Sequence, residues 1–371
     1  MEESREGSLF MYSNDTQPTP RPLRRSSPTF LRACAMGLLA ACSATHAHYF
    51  CITTAAELQD ALTQTSSGGL YDAEDNSLYL VHGLYTTGAV TGNQPFFYYA
   101  PTSTHEFNIS GGYDDGCSTP TRQTPATRLD GNGQTGVLVL RSTYGAIFVR
   151  GLTLQNGESS EVGPGLQINK YITVNNSVDV YDVIVRNNHT SADAGGFYVL
   201  GAGAGTRLYN MLITGNSADG NYGAGYVVGY GDTSRINNVT VTRNTTTAAS
   251  GAVGGLACGG PTPCQVWGSI FWNNTAAGLY LDEALGELHY NDIGTLAGQP
   301  PSTFDGDLSV NPHFIDPDNG DFHLAGNSSL LGICPYIDSS YDLDGNPPTV
   351  SGRIDLGAYQ ETIFIDGVDG G

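Results

Sequence analysis

Between Ile147 and Leu281 the chain repeats one pattern of apolar and polar positions. Short apolar runs recur at Leu152-Thr-Leu154, Val183-Ile-Val185, Met211-Leu-Ile213, Val239-Thr-Val241 and Ser269-Ile-Phe271. Their first residues lie 31, 28, 28 and 30 positions apart (183−152, 211−183, 239−211, 269−239). Three residues before each run stands a further apolar residue: Val149, Val180, Leu208, Ile236 and Val266. Three residues after the last four runs comes an asparagine: Asn188, Asn216, Asn244 and Asn274. A second apolar run then opens on glycine: Gly165-Leu-Gln-Ile168, Gly196-Phe-Tyr-Val199, Gly225-Tyr-Val-Val228, Gly255-Leu-Ala-Cys258 and Gly278-Leu-Tyr-Leu281.

A fixed period of about 28–30 residues means stacked supersecondary units. Each unit predicts three short strands separated by Gly, Asn and Ser turns, with no helical spacing inside it. One unit cannot bury its apolar residues. Stacked units align them in columns at the ~4.8 Å separation of hydrogen-bonded strands. The expected fold is therefore all-β: a right-handed parallel β-helix. A leucine-rich repeat would show denser Leu in a shorter unit, and a propeller blade would need four strands and about 40 residues. The Asn column predicts an amide ladder inside a turn, and the Gly column predicts turns with positive φ.

The flanks add caps and a leader. Thr54-Ala-Ala-Glu57 reads as a capping box, with Leu58, Ala61 and Leu62 at helical spacing and Ser66-Ser-Gly-Gly69 as its end. That predicts a short helix covering the open end of the solenoid. Leu78-Tyr-Leu80, Phe107-Asn-Ile109 and Val137-Leu-Val139 predict less regular first coils, and Leu288 to Gly298 a last partial coil. Phe96-Phe-Tyr-Tyr99 reads as packing. Residues 1–20 read as disordered. Arg21, Arg24, Arg25 and Arg32 before the apolar run Ala33 to Ala41 read as a secretory signal peptide, too short to span a bilayer. Cleavage after Thr45-His-Ala47 and lipidation of Cys42, in the lipobox-like Leu39-Ala40-Ala41-Cys42, both remain open. The expected divisions are 1–47 leader and signal, 48–300 β-helix with its cap, and 301–371 an irregular C-terminal module.

Composition narrows the partners. Glycine is 49 of 371 residues and charged residues are 14%, against a typical ~25%, as a turn-rich solenoid requires. Net charge is −21 and Lys170 is the only lysine, which argues against nucleic acid and anionic membrane; a lipid on Cys42 is the one membrane link expected. Nothing in the sequence calls for an oligomer, so a monomer is expected. Export permits disulfides. Cys258 and Cys264 close a Gly-Pro loop and point inward, so they are expected to pair. Cys51 with Cys117 is the second expected bridge, and Cys334 is left over.

Beyond Pro300-Pro301 the chain resembles the choice-of-anchor Q domain, a C-terminal module of many secreted bacterial β-helix proteins. The resemblance rests on Asn311-Pro-His-Phe314, Gly320-Asp-Phe-His-Leu324, Tyr336-Ile-Asp338, Asp342-Leu-Asp-Gly-Asn346 and Asp355-Leu-Gly-Ala-Tyr359. It covers about 50 residues. Ser329-Leu330 replaces the usual Ser-Pro, Gln360 precedes Glu361 at the closing Glu, and the Arg after Asp-Gly-x-Pro is absent, with Arg353 nearby. The coils, including Ser110-Gly-Gly-Tyr113 with Cys117 and Leu129-Asp-Gly131, resemble the pectate-lyase-like superfamily and polymorphic outer-membrane repeats. The resemblance implies a secreted or surface-attached β-helix.

Candidate chemistry is sparse. Outward positions of the Leu152-type strands are Thr153, Gln155, Ile184, Arg186, Leu212, Thr214, Thr240, Thr242, Ile270 and Trp272, a face with one Arg and no carboxylate. A lyase or a two-carboxylate hydrolase needs more. Outward positions of the Val149-type strands place Tyr181, Tyr209 and Trp267 beside Asp179, Arg207 and Arg235, an expected exposed aromatic row for sugar rings or a protein partner. A stabilising ladder with an Asp179–Arg207 ion pair is the competing reading. Asp316, Asp318, Asp321, Asp342 and Asp344 alternate in a weakly Ca²⁺-like way, though Asx turns explain them as well; no cofactor is otherwise expected. His189, Lys170 and His289 are isolated and read as surface residues. The function expected is a non-catalytic, adhesin-like surface protein binding polysaccharide or protein. The alternative is a polysaccharide lyase or glycoside hydrolase, suggested only by uses of the fold.

Overall fold

The computed structural model describes residues 47–121, 124–170, 177–203, 205–249, 252–282, 286–335, 341–347 and 352–361. The leader, Cys42, Tyr336-Ile-Asp338 and the C-terminal tail lie outside the described residues.

The chain winds as a parallel β-solenoid. One sheet runs from Ala47–Ile52 through Asp75–Val81, Phe107–Tyr113, Ile147–Gln155, Val178–Arg186, Thr206–Thr214, Ser234–Thr242, Cys264–Trp267 and Glu287–His289 to Thr303–Asp305. A second, eight-stranded sheet runs from Phe96–Ala100 to Leu296–Gly298. The pairing register is the one the repeat predicts. Val183 lies between Leu152 and Met211, Met211 pairs with Val239, and Val180 lies between Val149 and Leu208. All of these are buried in a single core cluster. Each full burial contributes about 1.5–3 kcal/mol.

The coil differs from the prediction in detail. In the first four units the first two expected strands are one bent strand, while the fifth keeps them apart as Cys264–Trp267 and Ile270–Trp272; a two-residue strand such as His189–Thr190 forms a further small sheet. The bend falls on one residue in the left-handed region: Gly151, Asp182, Asn210, Asn238 and Gly268, with φ of 64°, 54°, 52°, 54° and 58°. Asn and Asp tolerate that region better than other residues with a Cβ. The amide ladder exists. Nδ2 of Asn188, Asn216 and Asn244 each donates to Oδ1 of the next Asn, at 2.9, 2.9 and 3.0 Å.

The Gly column has a different cause from the one expected. Gly165, Gly196, Gly255 and Gly278 do not have positive φ. They are required by space: a Cβ at Gly196 would sit 2.4 Å from the Ala224 carbonyl oxygen and 2.9 Å from Cγ of Asn216. Gly225 does not belong to the column. It pairs with Phe197 inside the strand, and Ala224 takes the column position. A Cβ at Gly225 would meet the Phe197 ring at 2.5 Å, so a missing side chain on one rung accommodates a large one on the next.

Helix Ala55–Thr65 caps one end, with the Thr54–Glu57 capping box formed and Leu58, Ala61 and Leu62 buried. Disulfides Cys51–Cys117 and Cys258–Cys264 form as expected, and Cys334 is free and buried. The bridges fit an oxidising, extracytoplasmic setting. Among the described residues no helix is long and apolar enough to cross a membrane.

Pro300-Pro301 does not end the sheet, because Thr303–Asp305 pairs in parallel with Glu287–His289. The chain then turns back along the solenoid. Ile184 and Leu212 pack with Phe322, Leu343, Ala358 and Tyr359, and Ile270 packs with Leu324, Leu330, Ile354 and Leu356. The Asp355-Leu-Gly-Ala-Tyr359 motif bonds directly to two rungs. The Gly357 N–H donates to the Gly268 carbonyl (2.7 Å), and the Ala358 N–H donates to Oγ1 of Thr240 (3.0 Å). At Gly357 φ is +88° and a Cβ would come within 2.5 Å of Thr240 Oγ1.

Candidate functional site

The face after the bend is therefore not a free surface. Thr153, Gln155, Ile184, Leu212, Thr240, Thr242 and Ile270 are all buried. The alternation along the strands places them outward, and they are outward and largely covered. Ile184, Leu212 and Ile270 are apolar because the C-terminal module seals them. At the uncovered end Arg186 donates twice to Oε1 of Gln155 (3.0 and 2.7 Å), whose Nε2 donates to Asp130 (2.6 Å). Burial lowers the pKa of Arg186.

The face before the bend carries the expected aromatic row, altered in two ways. First, the row is interrupted: its register runs Arg150, Tyr181, Tyr209, Asn237, Trp267, His289. Tyr181 and Tyr209 form a tilted pair at 5.3 Å, while Trp267 stacks on His289 at 4.0 Å. Second, Tyr181, Tyr209 and Trp267 are half-buried rather than exposed. Burial raises the phenol pKa of Tyr181 and Tyr209. Beside them the competing ion pair is real. Asp179 is 1% exposed, and Nε and Nη2 of Arg207 grip it at 2.6 and 2.5 Å. The hydrogen bond to Asp179 is the main cause raising the Arg207 pKa. Arg235 donates to Oε1 of Gln265 (3.3 Å) and also lies beside the Tyr209 hydroxyl.

Towards the N-terminal end this face becomes concave. A cleft of about 400 Å³ is walled by Tyr79, Tyr113, Phe148, Arg150 and Tyr181, and on the module side by Tyr341. Gly111, Gly112 and Gly151 also line it, and Gly111 and Gly151 pack backbone against backbone. Gly112 has φ +77°, and the register of its strand shifts between Tyr79 and Val81, so the backbone kinks there. A Cβ at Gly111 would meet the Gly151 carbonyl oxygen at 2.4 Å. Tyr79 and Tyr113 lie 4.6 Å apart, ring to ring. Nε of Arg150 holds Asp182 at 3.0 Å. Nδ2 of Asn210 bridges the same Asp182 (3.1 Å) and the Tyr341 carbonyl (2.6 Å), fixing the module-side wall. The entry motif Ser110-Gly-Gly-Tyr113 thus builds the cleft, although the sequence reading used it only to recognise the coil.

A second aromatic face was missed. Tyr198, Tyr222, Tyr226 and Tyr280 cluster on the exterior of the second sheet, with ring separations of 6.2, 4.9 and 5.9 Å. The signal was present: Tyr198, Tyr226 and Tyr280 each follow the first inward residue of a Gly-associated run. Phe97 and Tyr99 are exposed on the same sheet, so Phe96-Phe-Tyr-Tyr99 is only half packing.

The remaining candidates resolve singly. Lys170 is fully buried, not superficial; its Nζ donates to the carbonyls of Tyr144 (3.1 Å) and Gly145 (2.9 Å), and burial lowers its pKa to about 8. His189 sits between Glu158 (3.8 Å) and Oγ of Ser217 (2.9 Å) on neighbouring rungs. That row resembles a hydrolase triad, but the backbone N–H groups of His189 and Ser217 are spent on Gly157 and Asn188. Those two N–H groups are therefore not free to hold an oxyanion. Of the Ca²⁺ candidates, Asp318 pairs with Arg243, and Asp316 accepts from Asn319 (2.7 Å). Asp321 and Asp344 flank His323 at 2.7 and 2.9 Å, raising its pKa to about 9. Asp342 accepts from the N–H groups of Asp344, Asn346 and Gln360. Among the described residues no group of three His, Cys, Asp or Glu is placed to hold one ion.

A scan against protein-family models finds no match, and no curated protein matches. Among solved structures, that of the pectate lyase Pel9A matches over 77% of this chain and 88% of its own, at 12% identity and a TM-score of 0.34. At that level nothing about the chemistry of this chain follows. The chain is a parallel β-solenoid with tightly stacked rungs, a helical cap at one end and a folded-back C-terminal module along one side.

Proposed function

We propose that this protein is a non-catalytic glycan-binding solenoid, exported and held at or beyond the cell surface, and that the cleft between the first coils and the C-terminal module is its binding site. The observation that carries this reading is a concave, glycine-lined cleft walled by Tyr79, Tyr113 and Tyr181. Aromatic faces stack on sugar rings, and clefts at module boundaries are common ligand sites. The C-terminal segment, read as a choice-of-anchor Q-like module, serves here as a wall and a seal. The lyase alternative has less support. The face after the bend is covered, and the cleft's one guanidinium is already tied to Asp182.

The test is retention on a glycan array by the wild type and by a Tyr79→Ala/Tyr181→Ala variant whose fold is checked by circular dichroism. Retention of a glycan class by the wild type and its loss in the variant is expected. Equal retention by both would discard this site. Release of unsaturated products from acidic polysaccharides would revive the lyase reading.

A further inference from the structure

Resting on that cleft reading, we infer that the ligand is a glycan carrying free amino groups, such as a glucosamine oligomer, rather than a polyuronate. Arg150 is the cleft's cationic side chain, and Asp182 engages it at 3.0 Å. The chain's only lysine is buried elsewhere against Tyr144 and Gly145. A uronate carboxylate entering the cleft would therefore meet one cation, Arg150, whose charge is already shared with Asp182 through Nε. It would also approach a molecule of net charge −21, whose field repels polyanions and concentrates cations.

The acidic groups are in the opposite condition. Glu106 lines the cleft and is exposed, and its carboxylate makes no hydrogen bond or ion pair among the described residues. Asp182 already accepts from Arg150 and Asn210, and Asp342 is filled by backbone N–H groups, so Glu106 is the group free to receive a charged donor. An ammonium group beside a carboxylate and over tyrosine faces gains both an ion pair and a cation–π contact. A neutral acetamido group gains neither.

The experiment is calorimetric titration of the full chain with oligomers of glucosamine, N-acetylglucosamine and galacturonate, using wild type, Glu106→Gln and Tyr181→Ala. Glu106 is exposed, so the Gln change leaves the fold intact. The glucosamine oligomer is expected to bind tightest and to weaken in salt. Glu106→Gln is expected to weaken it about tenfold, the scale of one charge-assisted hydrogen bond, without changing the acetylated ligand. If glucosamine and acetylated oligomers bind equally and Glu106→Gln changes neither, the charge inference falls while the cleft reading stands. Tightest binding of galacturonate overturns the inference as well. If no oligomer binds, the inference falls and the cleft reading rests on the array; if an oligomer binds and Tyr181→Ala changes nothing, the cleft reading fails and takes the inference with it.

Discussion

The two arms of the bent first sheet have the same backbone, the same rungs and opposite surroundings. After the bend, the outward residues Ile184, Leu212 and Ile270 lie under the C-terminal module. Before it, the outward residues Arg150, Tyr181 and Tyr209 stay half-open to water. The stacking of rungs does not cause that difference, since on the rungs of Ile184 and Leu212 one continuous strand supplies both arms. The outward side chains cause it. Branched aliphatic residues on a solenoid exterior demand cover, whereas tyrosine and arginine tolerate a wet edge. A polar aromatic row beside a sealed aliphatic row therefore marks which face of this solenoid is left open to water.

The contrast breaks most sharply if the sealed arm is made polar. Leu212→Asp would bury an unpaired carboxylate against Phe322 and Tyr359. It should cost about 4 kcal/mol or release the module, read as a fall in Tm with new proteolytic cleavage after residue 310. A wild-type Tm would mean that the module is not docked there. Next in size is the frame common to both arms. Asn216→Ala removes the acceptor of the Asn188 N–H and Nδ2 and the donor to the Val185 carbonyl. The expected loss is about 3 kcal/mol by denaturant titration.

A smaller effect tests the module's own clamp. His323, whose folded pKa of about 9 exceeds 6.5, sits between Asp321 and Asp344. A raised folded pKa stabilises fully below pH 6.5 and is lost as pH rises through about 9. The partner carboxylates are partly exposed, so His323→Gln should cost only about 1 kcal/mol at pH 6. It should cost nothing at pH 10. A cost that does not change with pH would mean that packing on Tyr359, not charge, holds the ring. Smallest for stability is Tyr181→Ala on the open arm, expected to cost about 1 kcal/mol or less while binding is lost.

The frame was legible in the sequence and its surroundings were not. Val149, Leu152 and their equivalents specify the register because a slip of one residue would turn every one of them outward. The Thr54–Glu57 box is a local pattern with a local cause, and the Asn ladder joins rungs 28–30 residues apart that the repeat period itself brings into register. Gly225 misled because a glycine beside a column of glycines looks equivalent, and only the ring of Phe197 on the next rung shows that it is not. Inward and outward can be read from alternation along a strand, but covered and open depend on chain 100 residues or more away, as Thr240 and Ala358 show. The apolar character of Ile184 and Leu212 was the available clue. Asn237 broke the aromatic row at a position that the three-residue summary Tyr181, Tyr209, Trp267 passed over.

Hydroxyl-radical footprinting of the intact protein, read by mass spectrometry, tests the sealed-and-open account most directly. Leu212, Phe322 and Tyr359 should be protected until the protein unfolds, while Tyr79, Tyr113 and Tyr181 should be modified in the native state. Modification of Leu212 and Phe322 at the rate of Tyr79 would contradict it.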